Sequence, residues 1–259
     1  MGAIDPALLA QLPNWAFGAA LVVARIGCAC MSLPLIGEAE VPATVRMGFV
    51  LALTALLLPG LLGIMPAIPS GVPRVVAIVA AEIVTGLFIG FLARLVILAL
   101  TTAGQLMALA TGLSSVLQQD PALGTQNAAL GRLFTVAAPV VLLASGLYVA
   151  PLMALRGSYD VIPPGALLPS AQAWPAVLTA ATACVAVAVR LAGPFLLASV
   201  LAQVAIALAG RVAAPLGVVQ ALSAGPILGG LALVALLGGG ILVAWRTAAS
   251  GLFAALPGG

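Results

Sequence analysis

From Val75 to Leu117 the chain stays apolar for more than forty residues and carries only two charges, Glu82 and Arg94. An apolar stretch of about 20 residues is long enough to cross a bilayer as a helix. This one is twice that length, so it predicts two passes or a bent helix, with the break expected at Thr101-Thr102-Ala103-Gly104-Gln105.

The rest of the sequence repeats the theme. An apolar run from Trp15 to Leu35 is closed by Pro34 and the acidic loop Glu38-Ala39-Glu40-Val41-Pro42. A second spans Met47–Met65, its end marked by Pro59-Gly60 and then Pro66, Pro69 and Pro73. Leu130–Leu155 follows, then a Pro/Gly-rich loop, Gly157–Pro175. Ala176–Ala209 is again too long for one pass and carries Arg190-Leu191-Ala192-Gly193-Pro194 at its centre. Leu216–Ala244 is interrupted by Gly225-Pro226. The first run lacks a basic leader and contains Arg25, so it reads as a retained helix rather than a cleaved signal. These runs predict an all-α, polytopic membrane protein. Its orientation stays open, because Arg46, Arg74, Arg132 and Arg156 fall on successive loops without alternating.

Composition agrees and narrows the chemistry. The chain is 64% hydrophobic and 6% charged, where soluble domains are about 45–50% apolar and about 25% charged. Every basic residue is Arg, and His is absent, which removes the usual near-neutral proton carrier and the commonest metal ligand. No Ser-His or Cys-His nucleophile can be built without it. The acids Asp5, Glu38, Glu40, Glu82, Asp120 and Asp160 are dispersed, and no phosphate-binding or dinucleotide motif is present. We therefore expect no enzyme, no cofactor and no metal site. A net charge of +3 spread over single arginines also argues against nucleic acid. Cys28, Cys30 and Cys184 sit in apolar segments as small hydrophobes.

One segment departs from the pattern. Thr111-Gly112-Leu113-Ser114-Ser115-Val116-Leu117-Gln118-Gln119-Asp120-Pro121 is polar and continues through Gly124, Thr125, Gln126 and Asn127. Hydrocarbon offers backbone no hydrogen-bond partners, so such a segment belongs inside protein or beside water. Asp120-Pro121 suits a helix start, with Asp as cap and Pro at the first helical position. The segment reads either as a turn between antiparallel helices or as a polar constriction. Elsewhere, Glu82, Gly86, Gly90 and Arg94 recur at four-residue steps, as do Gly104, Ala108 and Gly112. Small residues at this spacing let helices approach closely. The intramembrane charges Arg25, Glu82, Arg94 and Arg190 must pair, line a watery path or reach for an interface, because hydrocarbon penalises them.

Taken in order, these marks resemble the FliR/SctT family, the type III export-gate subunits of flagella and injectisomes. The resemblance covers about Trp15 to Leu236. It is carried by Arg25, Pro34, Glu38, Pro42, Arg46, Gly48 and Pro59, then by Gly86-x-x-x-Gly90. Ala103-Gly104 and Gly112-Leu113-Ser114 leading to Asp120-Pro121 continue it. Arg132, Ile162-Pro163-Pro164-Gly165, Ala192-Gly193-Pro194, Arg211, Pro215 and Gly225-Pro226 complete the set. The chain departs at Gly146-Leu147-Tyr148, where the family often has Gly-His, and at Pro215-Leu216-Gly217 and Gln220. Ser115 and Gln118 stand where relatives often carry aromatics.

The resemblance implies a single export-gate domain over residues 1–259, built of membrane-associated helical hairpins, with residues 14–156 FliP-like and 174–246 FliQ-like. It implies a non-enzymatic, channel-forming subunit of the flagellar export apparatus in the bacterial inner membrane at the basal body. FliP-like, FliQ-like and FlhB-like subunits are the implied partners, with membrane lipid around them and unfolded export substrates passing through. Residues Gly112–Pro121 would form a plug, and Glu82, Gly86, Gly90, Arg94, Gly104 and Ala108 would pack helices. Pro34, Pro42, Pro59, Pro194, Pro215, Gly225 and Pro226 would mark turns. An injectisome subunit is the alternative within the family. A small secondary transporter with a helix broken at Arg190–Pro194 is the alternative outside it.

Overall fold

The computed structural model describes residues 6–112, 129–213 and 225–258. Among the described residues the chain is helical, with no strand. Its helices are α1 (Pro6–Ser32), α2 (Ala43–Leu61) and a single 3-10 turn (Leu62–Ile64), then α3 (Val72–Thr111) and α4 (Ala129–Ser145). They continue with α5 (Val149–Val161), α6 (Ser170–Ala213) and α7 (Gly225–Ala254). Five stretches are long and apolar enough to cross a membrane: Gln11–Ser32, Ala43–Ile64, Val72–Thr111, Ala173–Arg211 and Ile227–Ala254. Leu and Ala dominate them, both strong helix formers. Helices that are apolar all round bury against one another or face lipid.

Their ends obey local chemistry. Pro42, at φ −56° and ψ 143°, leads into α2. The α3 helix closes where Gly112 takes φ +74° and its N–H bonds to the Leu109 carbonyl at 3.3 Å; glycine enters this left-handed region without a Cβ clash. Gly146 does the same after α4, at φ +73°. It splits the apolar run Leu130–Leu155 into two helices that hydropathy alone reads as one.

Three sequence expectations are corrected. The α3 helix does not break at Thr101–Gln105 but runs as one element for 40 residues. Its threonines return their hydroxyls to their own helix, Thr101 to the Leu98 carbonyl at 3.1 Å and Thr111 to the Met107 carbonyl at 2.9 Å. The polar side chains are thereby satisfied without unwinding. Nor is α6 broken at Arg190–Pro194; Pro194 is no turn but lies inside a 44-residue helix. The residue before it is Gly193, which presents no Cβ to the proline ring and so removes part of the usual clash. Pro59 likewise lies within the last turn of α2 instead of ending it, and its missing N–H leaves the Ala55 carbonyl without its helical donor. Gly225 and Pro226 are the first described residues of α7; the part of the apolar run before them lies outside the described residues. Pro34 does stand in a turn, after α1. Pro215 lies outside the described residues.

The chain divides into two compact units. The first gathers Met1–Leu95, Gly146–Ala180 and Leu252–Gly259. Its core is Leu21, Ile26, Leu33, Ile89, Leu155 and Tyr159, all at 2% exposure or less. Here Gly86 meets the Arg25 backbone and Gly90 meets Ala29, so α1 and α3 run in the same direction. The second unit gathers Val96–Ser145 and Ala181–Gly251, around Leu100, Met107, Phe134, Phe195 and Trp245. In it the Trp245 indole N–H donates to the Val96 carbonyl at 3.0 Å, and Gly230 meets the Thr111 side chain. As α3 advances from 96 to 111, α7 retreats from 245 to 230: these two segments are antiparallel.

Candidate functional site

The first unit holds the greatest concentration of polar chemistry among the described residues. At its centre the Arg25 guanidinium of α1 faces the Glu82 carboxylate of α3, both wholly buried. Nε donates to Oε2 at 2.6 Å and Nη2 to Oε1 at 3.1 Å, a bidentate fork that fits planar guanidinium to planar carboxylate. The other donors reach α5 and the chain beyond it. Nη1 bonds Ser158 Oγ at 3.3 Å and the Ile162 carbonyl at 3.1 Å, and Nη2 bonds that same carbonyl at 3.1 Å. Five contacts thus serve the five N–H donors of an arginine. Glu82 Oε1 also accepts the Gly165 backbone N–H at 2.6 Å, and the Tyr159 ring lies under the guanidinium at 4.1 Å from its centroid, a cation–π contact. The Tyr159 hydroxyl, also buried, has no partner among the described residues.

A charge taken out of water must recover several kcal/mol of lost solvation through partners. This arginine recovers it from two distant stretches of chain, Glu82 on α3 and Ser158 with Ile162 at the end of α5, so the cluster ties α1, α3 and α5 at one point. It is a clamp rather than a reactive centre, since every donor and carboxylate oxygen is already engaged.

The stripe on α3 continues from this clamp. One turn on, a Cβ at Gly86 would overlap the Arg25 carbonyl oxygen, and one at Gly90 would stand 2.6 Å from the Ala29 carbonyl oxygen. Backbone therefore touches backbone, which only glycine permits. A further turn on, Arg94 reaches past the end of α1 to Glu38, with Nη1–Oε1 at 2.5 Å and Nη2–Oε2 at 3.1 Å. Glu82, Gly86, Gly90 and Arg94 thus present two ion pairs bracketing two glycines, all toward α1 and the loop after it. That loop is held from its other side by Arg46, which bonds the carbonyls of Ile36 at 3.0 Å, Glu38 at 3.0 Å and Val41 at 3.5 Å. Within the loop, Leu35 adopts φ +73°, a conformation costly for a residue with a Cβ.

In the second unit Gly104 and Ala108 are buried on α3. Beside them a Cβ at Gly131 of α4 would lie 3.2 Å from the Gln105 side chain. A small apolar pocket is lined by Thr111, Phe195, Ser199, Gly225, Gly230 and Leu233. Its two hydroxyls are spent on their own helices, Thr111 on Met107 and Ser199 on the Leu196 carbonyl at 2.8 Å. Among the described residues no three His, Cys, Asp or Glu side chains gather as a metal site. Gly112 closes α3. Leu113, Ser114, Ser115, Val116, Leu117, Gln118, Asp120 and Pro121 lie outside the described residues. Of the four intramembrane charges, the structure pairs Arg25 with Glu82 and Arg94 with Glu38. It leaves Arg190 exposed.

Sequence reasoning missed the roles of Ser158, Tyr159, the Ile162 carbonyl and the Gly165 N–H. Backbone groups leave no mark in a sequence. A wholly apolar helix carrying one arginine nevertheless signals that partners must come from elsewhere in the chain.

Comparison with known proteins follows the same residues. The family described as Bacterial export proteins, family 1 matches residues 16–251, a stretch that includes both ion pairs. The flagellar biosynthetic protein FliR of Caulobacter vibrioides is 29% identical over 227 residues, which is 88% of this chain and 90% of that protein.

Proposed function

Because the chain belongs to the bacterial export proteins, family 1, we propose that it is a non-enzymatic, channel-forming subunit of the flagellar type III protein export gate. The observation that carries this reading is the reach of the family match, residues 16–251, joined to a relative that bears the name of a flagellar biosynthetic protein. The chain is an integral membrane protein, and the gate would sit in the bacterial inner membrane at the flagellar basal body. FliP-like, FliQ-like and FlhB-like subunits would surround it, with residues 14–156 taking the FliP-like part and 174–246 the FliQ-like part. Unfolded flagellar proteins would pass through the assembled pore, and the polar segment Gly112–Pro121 would contribute to its closure.

Burial supports a role in an assembly. Within an apolar 18-residue window of each helix, 61% of α3 is buried, 17% of α6 and 11% of α7. The last two therefore offer long faces to lipid or to other subunits. The name of the relative favours the flagellum over an injectisome. The transporter alternative needed a helix broken at Arg190–Pro194, and α6 passes through those residues intact.

The test has two parts. Deleting the gene should abolish secretion of flagellar proteins and motility, both restored by the intact chain. Deleting Ser114–Gln118 should leave the complex assembled but make the membrane leaky to small solutes. Unchanged permeability in a correctly assembled complex would end the closure role, and normal secretion without the gene would end the export reading.

A further inference from the structure

We propose that the outward face of α6 around Arg190 docks an apolar helix of another subunit, and that this helix carries an aspartate or glutamate opposite Arg190. The proposal rests on the reading of the chain as one member of an assembly.

The first ground is charge. In the second unit the described residues contain four arginines, Arg132, Arg190, Arg211 and Arg246, all exposed, and no aspartate or glutamate. Every other intramembrane charge singled out in the sequence, Arg25, Glu82 and Arg94, has its partner within the chain. Arg190 has none among the described residues.

The second ground is direction. The buried side of α6 is Cys184, Ala188, Leu191, Ala192 and Phe195, a run at three- and four-residue steps that defines one helix face. At about 100° per residue, Arg190 points away from that face. The exposed Leu197, Leu201, Val204 and Leu208 continue along its side of the helix. The result is an apolar stripe headed by a cation, complementary to an apolar helix bearing an anion.

The third ground weighs against lipid as the sole cover. A pass through hydrocarbon takes about 20 residues. Within the apolar stretch Ala173–Arg211, no such window avoids both Arg190 and Gln203, and both are exposed. Unless α6 crosses within residues 191–211, the last 21 of that stretch, a pass of about 20 residues places Arg190 itself in the apolar layer. A carboxylate supplied by protein answers the charge there, as lipid tails cannot.

A benzophenone-bearing residue placed at Leu197 or Leu201 of the tagged chain, expressed from its own locus and irradiated in intact membranes, tests the proposal. The expected product joins this chain to another polytopic subunit, at a helix that contains Asp or Glu. Arg190→Leu should lower the yield of that product about tenfold or more, as loss of one member of a desolvated pair does, while Arg190→Lys retains most of it. Arg190→Glu should be rescued by a carboxylate-to-Arg change in the cross-linked helix. Crosslinks to lipid alone would overturn the proposal. So would an undiminished yield from Arg190→Leu at equal protein level, or rescue of Arg190→Glu by Asp120→Arg within this chain. Should Arg190→Leu simply fail to accumulate, the charge-swap rescue alone decides. The crosslink is read without reference to motility, so failure of the export reading leaves it interpretable.

Discussion

Arg25 and Glu82 stand 57 residues apart in sequence and 2.6 Å apart in space, each wholly shielded from solvent. Around them two further backbone groups and a serine complete the pairing, so neither charge can lose its partner without stranding the other.

Glu82→Gln should therefore destabilise the chain by about 3–5 kcal/mol, the usual cost of leaving a buried charge unpaired. The paired replacement of Arg25 by Met and Glu82 by Leu should cost much less, since it removes both charges. Thermal unfolding of the purified, detergent-solubilised complex, followed by loss of the tagged chain, reads the difference. Equal losses from the single and double variants would show that the pair contributes packing alone.

Gly86→Ala should push α1 away from α3, because the added methyl meets the Arg25 carbonyl, a backbone atom that cannot rotate aside. Overpacking of this kind costs about 1–3 kcal/mol. Gly251→Ala is the control: a Cβ there meets nothing within 4 Å, and Ala in a helix interior is favoured over Gly by about 0.5–1 kcal/mol. Resistance to limited proteolysis should fall for the first variant and hold or rise for the second.

Tyr159→Phe should leave stability unchanged or slightly raised. It keeps the ring beneath Arg25 and deletes a buried hydroxyl that has no partner among the described residues, a group whose desolvation is otherwise uncompensated. Tyr159→Leu removes the cation–π contact and should lower the unfolding temperature. A drop for the Phe variant matching that of the Leu variant would mean the hydroxyl is bonded after all.

Trp245→Phe should cost about 1 kcal/mol, the net worth of an ordinary hydrogen bond, by removing the donor to the Val96 carbonyl. Trp245→Ala should cost about 3–5 kcal/mol by opening a cavity at a fully buried position. The two are separable by the midpoint of denaturant unfolding.

The helical, membrane-spanning class was legible because apolar length is a property of the chain itself. Where the helices stop was less so. Thr101–Gln105 and Gly193-Pro194 look like breaks when read locally, yet the threonine hydroxyls bond inward and a glycine precedes the proline, so α3 and α6 run on. Gly146 passed unnoticed as a break because it sits in an otherwise unbroken apolar run. At the clamp, the four-residue spacing from Glu82 to Arg94 showed a face intended for close contact. What that face touches depends on Arg25, Glu38 and the backbone near Ile162, which only the folded chain brings together.

The clamp also sets a schedule for synthesis. Arg25 leaves the ribosome well before its partners. Glu82 follows 57 residues later and the Ile162 carbonyl 137 residues later. At about 5–20 residues per second, the first interval alone lasts about 3–11 s. During that time α1 carries a bare cation that hydrocarbon would reject. Placing that cation at the bilayer centre costs about 2.5–3.5 kcal/mol, so the arrival of α3 with its carboxylate makes the passage of α1 into lipid more favourable.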